Sequence, residues 1–306
     1  MSSVLTKYMP LPSEGIVSAL WTPTDEQGAL LETELREQIA RLVRAGVHGL
    51  MVLGSTGDFV HFDVPVRKRV AEIVREAAPG LPLMINVSDI RPRVVADLGR
   101  HARSIGADSV AILPPWYFHL SQCDLVEFFV RSAEAAGLPA YLYNFPERTG
   151  HVVTLDTIRK VAARVPVPGV KQSGADFDYH RDLVELGKEL NFVVLSGCEP
   201  RLPDSMAWGV RGCISGLSNA TPEALVRMYD LIKAGADQEA RELAQLLGKL
   251  IGIIDRISFP LNVAAAMEAR QWKPGAAKAL VSPETRAHYG AVVQDVLALQ
   301  AARKLW

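Results

Sequence analysis

Cysteine is scarce in this chain: Cys123, Cys198 and Cys213 are the three among 306 residues, with no Cys-x-x-Cys spacing. An odd, scattered set argues against a disulfide framework and offers no zinc-ligand pattern. The expectation is reduced, buried or half-buried thiols in the cytoplasm. A dominant charge is also missing. Lys and Arg number 33 against 34 Asp and Glu, a formal charge of −1. There is no Lys/Arg-rich run and no stripe of aromatics among basic residues, so nothing points to nucleic acid or to an anionic membrane as partner. No apolar stretch reaches bilayer-spanning length. Residues 1–14 are polar, carry two prolines and lack the apolar core of a signal peptide.

Three chemistries lack their signatures. The histidines, at 48, 61, 101, 119, 151, 180 and 288, form no pair at ligand spacing with a carboxylate at a strand end, so no metal site is expected. No serine sits in a G-x-S-x-G elbow, which argues against a nucleophilic triad on that plan. The first apolar run ends in Ala19-Leu20-Trp21-Thr22-Pro23, without the glycine-rich phosphate loop of an open dinucleotide-binding sheet.

What is present is alternation, in a chain that is 49% hydrophobic. Short Val/Ile/Leu-rich runs fall at residues 15–20, 49–53, 82–87, 109–113, 139–144, 167–173, 192–197 and 212–216. They are too short for helices and read as strands buried on both faces. Amphipathic stretches lie between them, at 30–45, 66–78, 93–105, 124–136, 155–164, 179–190, 203–208 and 222–234. Gly46, Gly137 and Gly235 mark helix ends, and Thr221-Pro222-Glu223 reads as an N-cap followed by proline in the first turn. Eight strand–helix pairs predict an α/β fold, a (β/α)8 TIM barrel over residues 1–235. From 236 to 306 the pattern is helical throughout and predicts a C-terminal helical extension packed on the barrel.

In such a barrel the chemistry sits at the C-terminal strand ends. Lys171 follows Val167-Pro168-Gly169-Val170 and so lies in or at the end of a buried strand, whereas the other lysines fall on polar helix faces, in loops or at termini. Burial disfavours an ammonium ion, and an uncharged amine is a nucleophile toward a carbonyl carbon. The position equally suits a lysine that reaches solvent or pairs with a carboxylate. Tyr143 ends the preceding strand and can converge on the same mouth, where a phenol connected to a relay could move protons. A core tyrosine bonded to backbone is the other reading. Gly54-Ser55-Thr56-Gly57 is a turn whose N–H groups could form an anion-binding nest, a weak signal alone.

Three segments in order resemble a known family. Gly54-Ser55-Thr56-Gly57-Asp58 is similar to its G-[TS]-T-G-E loop, Tyr143-Asn144-Phe145-Pro146-Glu147-Arg148-Thr149-Gly150 to its Y-N-x-P-x-R-T-G segment, and Gly169-Val170-Lys171 to its G-[IV]-K strand. The family is that of dihydrodipicolinate synthase and N-acetylneuraminate lyase, the class I, pyruvate-dependent aldolases. The resemblance implies a lyase without a cofactor, in which Lys171 forms a Schiff base with a 2-oxo acid such as pyruvate. It makes Tyr143 the proton donor and acceptor, Ser55 a relay hydroxyl, and Tyr117 a relay tyrosine completing a neighbouring subunit's site. Thr56 would hold the substrate carboxylate, Gly197 and Ile214 would border the bound pyruvate, and Arg148 would grip the carboxylate of a second substrate, an aldehyde or semialdehyde. It further implies a homotetramer, a dimer of tight dimers.

Departures fall in the loops that line the distal pocket. Asp58 stands for a glutamate, Ser55 for a threonine, Trp116 for a tyrosine, Gln172-Ser173-Gly174 follows Lys171, and Cys198-Glu199-Pro200-Arg201 follows Gly197. A synthase-like condensation, an aldolase for 4-hydroxy-2-oxo acids or 2-keto-3-deoxy sugar acids, and a dehydratase on the same imine therefore stay open. The rival from another class is a non-catalytic small-molecule-binding barrel.

Overall fold

The computed structural model of the protein describes residues 12–303, so the reading of the first residues as a polar stretch without a signal core lies mostly outside it. Eight parallel strands close on themselves in sequence order: β1 (Gly15–Ala19), β2 (Gly49–Val52), β3 (Leu83–Asn86), β4 (Ser109–Ile112), β5 (Ala140–Asn144), β6 (Gly169–Gln172), β7 (Val193–Ser196) and β8 (Gly212–Ser215). The closing pair is β8 on β1, with Ile16 opposite Cys213. Every strand residue is buried, because side chains alternate between the barrel interior and the helical ring. This is why the strands read as unbroken apolar runs rather than alternating ones.

The outer ring is α1 (Glu32–Arg44), α2 (Val64–Ala77), α3 (Pro92–Ser104), α4 (Gln122–Ala136), the single turn α5 (Pro146–Thr149), α6 (Leu155–Ala162), α7 (Phe177–Leu190), α8 (Leu202–Trp208) and α9 (Pro222–Lys233). The helices begin and end where local chemistry stops them. In α1, Leu35, Ile39 and Leu42 face the barrel, Glu32 and Glu34 sit in the first turn, and Arg41 and Arg44 in the last, each complementing the helix dipole. Gly46 then turns left-handed at φ +79°, while its N–H reaches the Val43 carbonyl and the Val47 N–H the Leu42 carbonyl. Gly235 ends α9 in the same way. The expected cap at the start of α9 differs: Pro222 opens the helix, but the Thr221 hydroxyl makes no cap bond and donates back to the Leu217 carbonyl at 3.3 Å.

Beyond the barrel, α10 (Asp237–Ile254) packs on α9, and α11 (Leu261–Ala269) and α12 (Pro283–Arg303) pack against α10 and each other. One apolar cluster runs through barrel and extension, from Ile16 to Val296. The extension is not helical throughout. Residues 271–282 form an irregular segment that returns to the barrel mouth, where Gly275 bridges to Thr24, Ala276 N–H donates to the Thr24 carbonyl at 2.7 Å, and Trp21 Nε1–H donates to the Pro274 carbonyl at 2.7 Å. Its Gly, Pro and Ala content gives neither period nor caps, so pattern alone does not mark it. Among the described residues no helix is long and apolar enough to cross a membrane.

Candidate active site

The site begins with the register of β5 and β6, which places Tyr143 directly opposite Lys171. Neighbouring strands hold paired Cα atoms about 5 Å apart, so both side chains enter the barrel at one level. One layer below, Gly169 faces Tyr141 in the adjoining strand. A Cβ on Gly169 would stand 2.2 Å from Tyr141 Cε1, so only glycine lets that ring lie across the floor beneath the lysine. The next pair along the strands, Asn144 and Gln172, fastens them: Asn144 Nδ2 donates to Gln172 Oε1 at 2.7 Å and Asn144 Oδ1 accepts from Val153 N–H at 3.0 Å.

Lys171 is 3% exposed. Its Nζ lies 4.1 Å from the centroid of the Tyr143 ring and 3.7 Å from Met51 Sδ across the barrel. A thioether is a weak acceptor, and no ion pair involves Lys171 among the described residues. The amine therefore points neither into solvent nor at a carboxylate, and it faces a phenol. The Tyr143 hydroxyl is 3.3 Å from Ser55 Oγ, a contact in which either can donate.

Ser55 is held by a loop with unusual backbone geometry. Leu53 and Asp58, on either side of residues 54–57, are both left-handed at φ +60° and +58°. The first is fixed by Asn86 Nδ2, which donates to the Leu53 carbonyl at 2.7 Å; Ser88 Oγ in turn donates to Asn86 Oδ1 at 2.6 Å. The second is held by Asp58 Oδ1 against His61 Nδ1 at 2.9 Å. The N–H groups of Ser55, Thr56 and Gly57 donate to no group among the described residues. They are free donors at the positive side of a turn, which suits a carboxylate.

A cavity of about 350 Å³ gathers Thr56, Tyr143, Arg148, Lys171, Gly197 and Ile214. Ser55 lines an adjoining space of about 210 Å³, and Arg148 and Phe259 border both. Gly197 is required by contact: a Cβ there would stand 2.2 Å from Ser173 Oγ. Arg148 lies over the rings of Phe145 at 5.6 Å and Phe259 at 5.1 Å, and its guanidinium makes no ion pair among the described residues. Tyr117 is the one expected site residue not brought in. It is 84% exposed and left-handed at φ +84°, and its one aromatic contact among the described residues is Phe118, edge to face at 4.7 Å.

Several contributors escaped the strand-end reading. The extension supplies Ile251, Ile254, Asp255, Phe259, Asn262 and Val263 to the cavity wall. Glu199, 8% exposed, also lines it and accepts from Ser215 Oγ at 2.7 Å and Leu217 N–H at 3.3 Å. Beside it, burial, aided by Glu199, holds the Cys198 thiol up to about 11, so it stays protonated at neutral pH and is a poor competing nucleophile. Behind the loop, Arg67 is buried, donates to the Asn86 and Ser88 carbonyls, and lies 5.1 Å from the Phe59 ring; desolvation brings it down to about 10. A second lysine, Lys278, also has a buried Nζ, against the expectation that only Lys171 would. No local pattern around Lys278 signals this, since the Thr24 contact of the returning segment is what places it. Among the described residues no cluster of three or more His, Cys, Asp or Glu side chains is placed to hold a metal ion.

Comparison with known proteins agrees with this fold. The sequence profile of the dihydrodipicolinate synthetase family matches residues 12–298. The chain is 34% identical over 258 residues to the 4-hydroxy-tetrahydrodipicolinate synthase of Methanopyrus kandleri, covering 83% of this chain and 86% of that one. It is 31% identical over 260 residues to an uncharacterized DapA-like lyase of Pyrococcus abyssi, covering 84% and 88%. The crystal structure of dihydrodipicolinate synthase from Thermotoga maritima superposes with a TM-score of 0.85 at 26% identity, over 94% of this chain and 99% of that one.

Proposed function

Since this chain belongs to the dihydrodipicolinate synthetase family, and with it to the class I, Schiff-base-forming lyases, we propose that Lys171 is the amine that captures a 2-oxo acid, with pyruvate as the reference substrate. The observation that carries this reading is the Lys171 side chain itself: buried, without a carboxylate partner, and 4.1 Å from the Tyr143 ring. The free N–H groups of residues 55–57 and the Thr56 side chain receive the substrate carboxylate, which brings the ketone carbon to Nζ. Nζ attacks that carbon, and the Tyr143–Ser55 pair protonates the departing hydroxyl, so that water leaves and an imine remains. The imine draws electrons from the adjacent carbon, which loses a proton to give an enamine. The enamine then adds to the carbonyl of an aldehyde or semialdehyde, Tyr143 supplies the proton to the new alkoxide, and water releases the product from Lys171. Cleavage is the reverse.

Gly197 and Ile214 border the bound 2-oxo acid, and Arg148 faces the second substrate. Synthase-type condensation, cleavage of a 4-hydroxy-2-oxo acid or a 2-keto-3-deoxy sugar acid, and dehydration all use this same imine. In this reading the barrel to residue 235 supplies the chemistry and residues 236–306 supply part of the wall. Tyr117, with its ring in solvent, completes the Ser55–Tyr143 relay of a second subunit in a dimer of dimers, in the cytoplasm. Borohydride reduction in the presence of pyruvate tests the central step. The expected result is a single stable adduct on Lys171, absent in Lys171→Ala; a well-folded wild-type protein that gives none removes the reading.

A further inference from the structure

Arg67 stands near the start of α2, where a cation opposes the helix dipole, and it is 2% exposed. Withdrawing a guanidinium from water is costly unless other groups take its protons. Here Nη2 donates to the carbonyls of Asn86 at 3.2 Å and Ser88 at 3.1 Å, at and just past the end of β3, and Nη1 lies 3.5 Å from Asp89 Oδ2. The side chains of the same two residues carry the hold outward. Ser88 Oγ donates to Asn86 Oδ1 and accepts from Leu113 N–H at 2.7 Å, and Asn86 Nδ2 donates to the Leu53 carbonyl at 2.7 Å. The guanidinium also lies over the Phe59 ring, at 5.1 Å. One side chain thus grips both ends of residues 54–58, the start through Asn86 and Leu53 and the end through Phe59.

The loop between those ends is confined on its other sides. A Cβ on Gly57 would stand 2.9 Å from the Leu20 carbonyl oxygen, and one on Gly216 would stand 2.8 Å from Thr56 Oγ1, so the loop rests against the chain that follows β1 and β8. Leu53 is left-handed at φ +60°, a conformation that a leucine keeps only where its surroundings over-determine it. The bond from Asn86 to the Leu53 carbonyl fixes the plane of the peptide that opens the loop. Arg67 itself lines neither cavity at the barrel mouth. We propose that Arg67 is a positioning residue for the carboxylate of the 2-oxo acid, acting through Asn86, Ser88 and Phe59 to hold the N–H groups of residues 55–57 toward the substrate. This rests on the reading of that loop as the carboxylate site.

The test compares pyruvate with acetone, in which a methyl group replaces the carboxylate, by the rate at which cyanoborohydride traps each on Lys171 at non-saturating concentration. Arg67→Lys keeps the charge but lacks the planar fork that reaches several acceptors at once. The expected result is a pyruvate-to-acetone ratio about tenfold below wild type, with the acetone rate within about twofold of it. Ser88→Ala leaves Arg67 in place and frees the Asn86 side chain. It should move the ratio the same way by about threefold, and it reports even if Arg67→Lys does not fold. Equal loss of both rates would assign Arg67 to the fold alone, and a ratio that moves less than about twofold in the folded variants would show that the loop keeps its direction without this network; either result overturns the proposal. A wild type that traps pyruvate no faster than acetone overturns it together with the carboxylate site and leaves the imine standing, whereas a wild type that traps neither removes the imine assignment as well.

Discussion

Lys171 and Lys278 are both lysines whose Nζ is shut away from bulk water, and the difference between them separates the amine we propose as reactive from a sealed one. Lys278 lies 4.2 Å from the Trp21 ring centroid and 5.7 Å from that of Phe62, has no hydrogen-bond partner among the described residues, and lines neither cavity at the barrel mouth. Desolvation brings it down from 10.5 to about 8, with Asp58 acting weakly the other way. Lys171 faces a cavity, a phenol and, through it, a hydroxyl. Burial alone supplies an uncharged amine in part of the population; capture of a ketone also needs room for the ketone and a path for the proton.

The largest expected effect tests that contrast directly. Lys171→Ala should lose all measurable turnover, more than about 10⁴-fold, while Lys278→Met stays within about tenfold of wild type and still traps pyruvate. Trapping on Lys278 instead would invert the comparison. Next, Tyr143→Phe keeps the ring beside Lys171 and removes only the hydroxyl, so turnover should fall by about 10²–10⁴-fold, with slower pyruvate trapping. An unchanged rate would show that the proton path does not run through Ser55 and Tyr143.

The smaller effects concern stability. His180, fully buried in α7 with both ring nitrogens unpartnered among the described residues, is pushed down from 6.5 to about 4 by desolvation. The unfolded chain takes up this proton first, so stability is complete above about pH 6.5 and falls as pH drops toward 4, by about 2–3 kcal/mol. In denaturant titrations across that window the wild type should lose this stability relative to His180→Phe as pH falls; a difference that stays constant with pH would remove the assignment. For Lys278 the sign is the same but the window is alkaline. Its charge opposes folding fully below about pH 8, and the penalty fades between 8 and 10.5. Lys278→Met should therefore be more stable at neutral pH, by about 1–2 kcal/mol, and the advantage should shrink as pH rises. A constant difference would assign it to packing against Trp21 instead.

The strand ends were legible because burial on both faces leaves a signal within four or five residues, and Lys171 stands out as the one charge at the end of such a run. Thr56, Tyr143, Arg148, Gly197 and Ile214 stand among the residues at those strand ends, the resemblance to the family singles them out there, and all line the same cavity. The far wall was not legible. Asp255, Phe259 and Asn262 face the site because α10 and α11 dock over the barrel, a tertiary placement that no local period encodes. Nor does the sequence around Lys278 announce burial, since the bridge between Gly275 and Thr24 is what carries it inward. The hydroxyl of Thr221 shows the converse: a correct helix start whose side chain found a better partner.

That far wall gives the molecule a division of labour. Lys171 and Tyr143 are fixed by strand register, where a shift of one residue turns each side chain the wrong way. The helices that carry Asp255 and Asn262 answer to no register; they need only keep α10 packed on α9 and α11 packed on α10 and α12. Drift in the tail can therefore re-tune which molecule is accepted while the reactive centre stays as it is, and grafting the tail of one relative onto the barrel of another is a short route to a new preference.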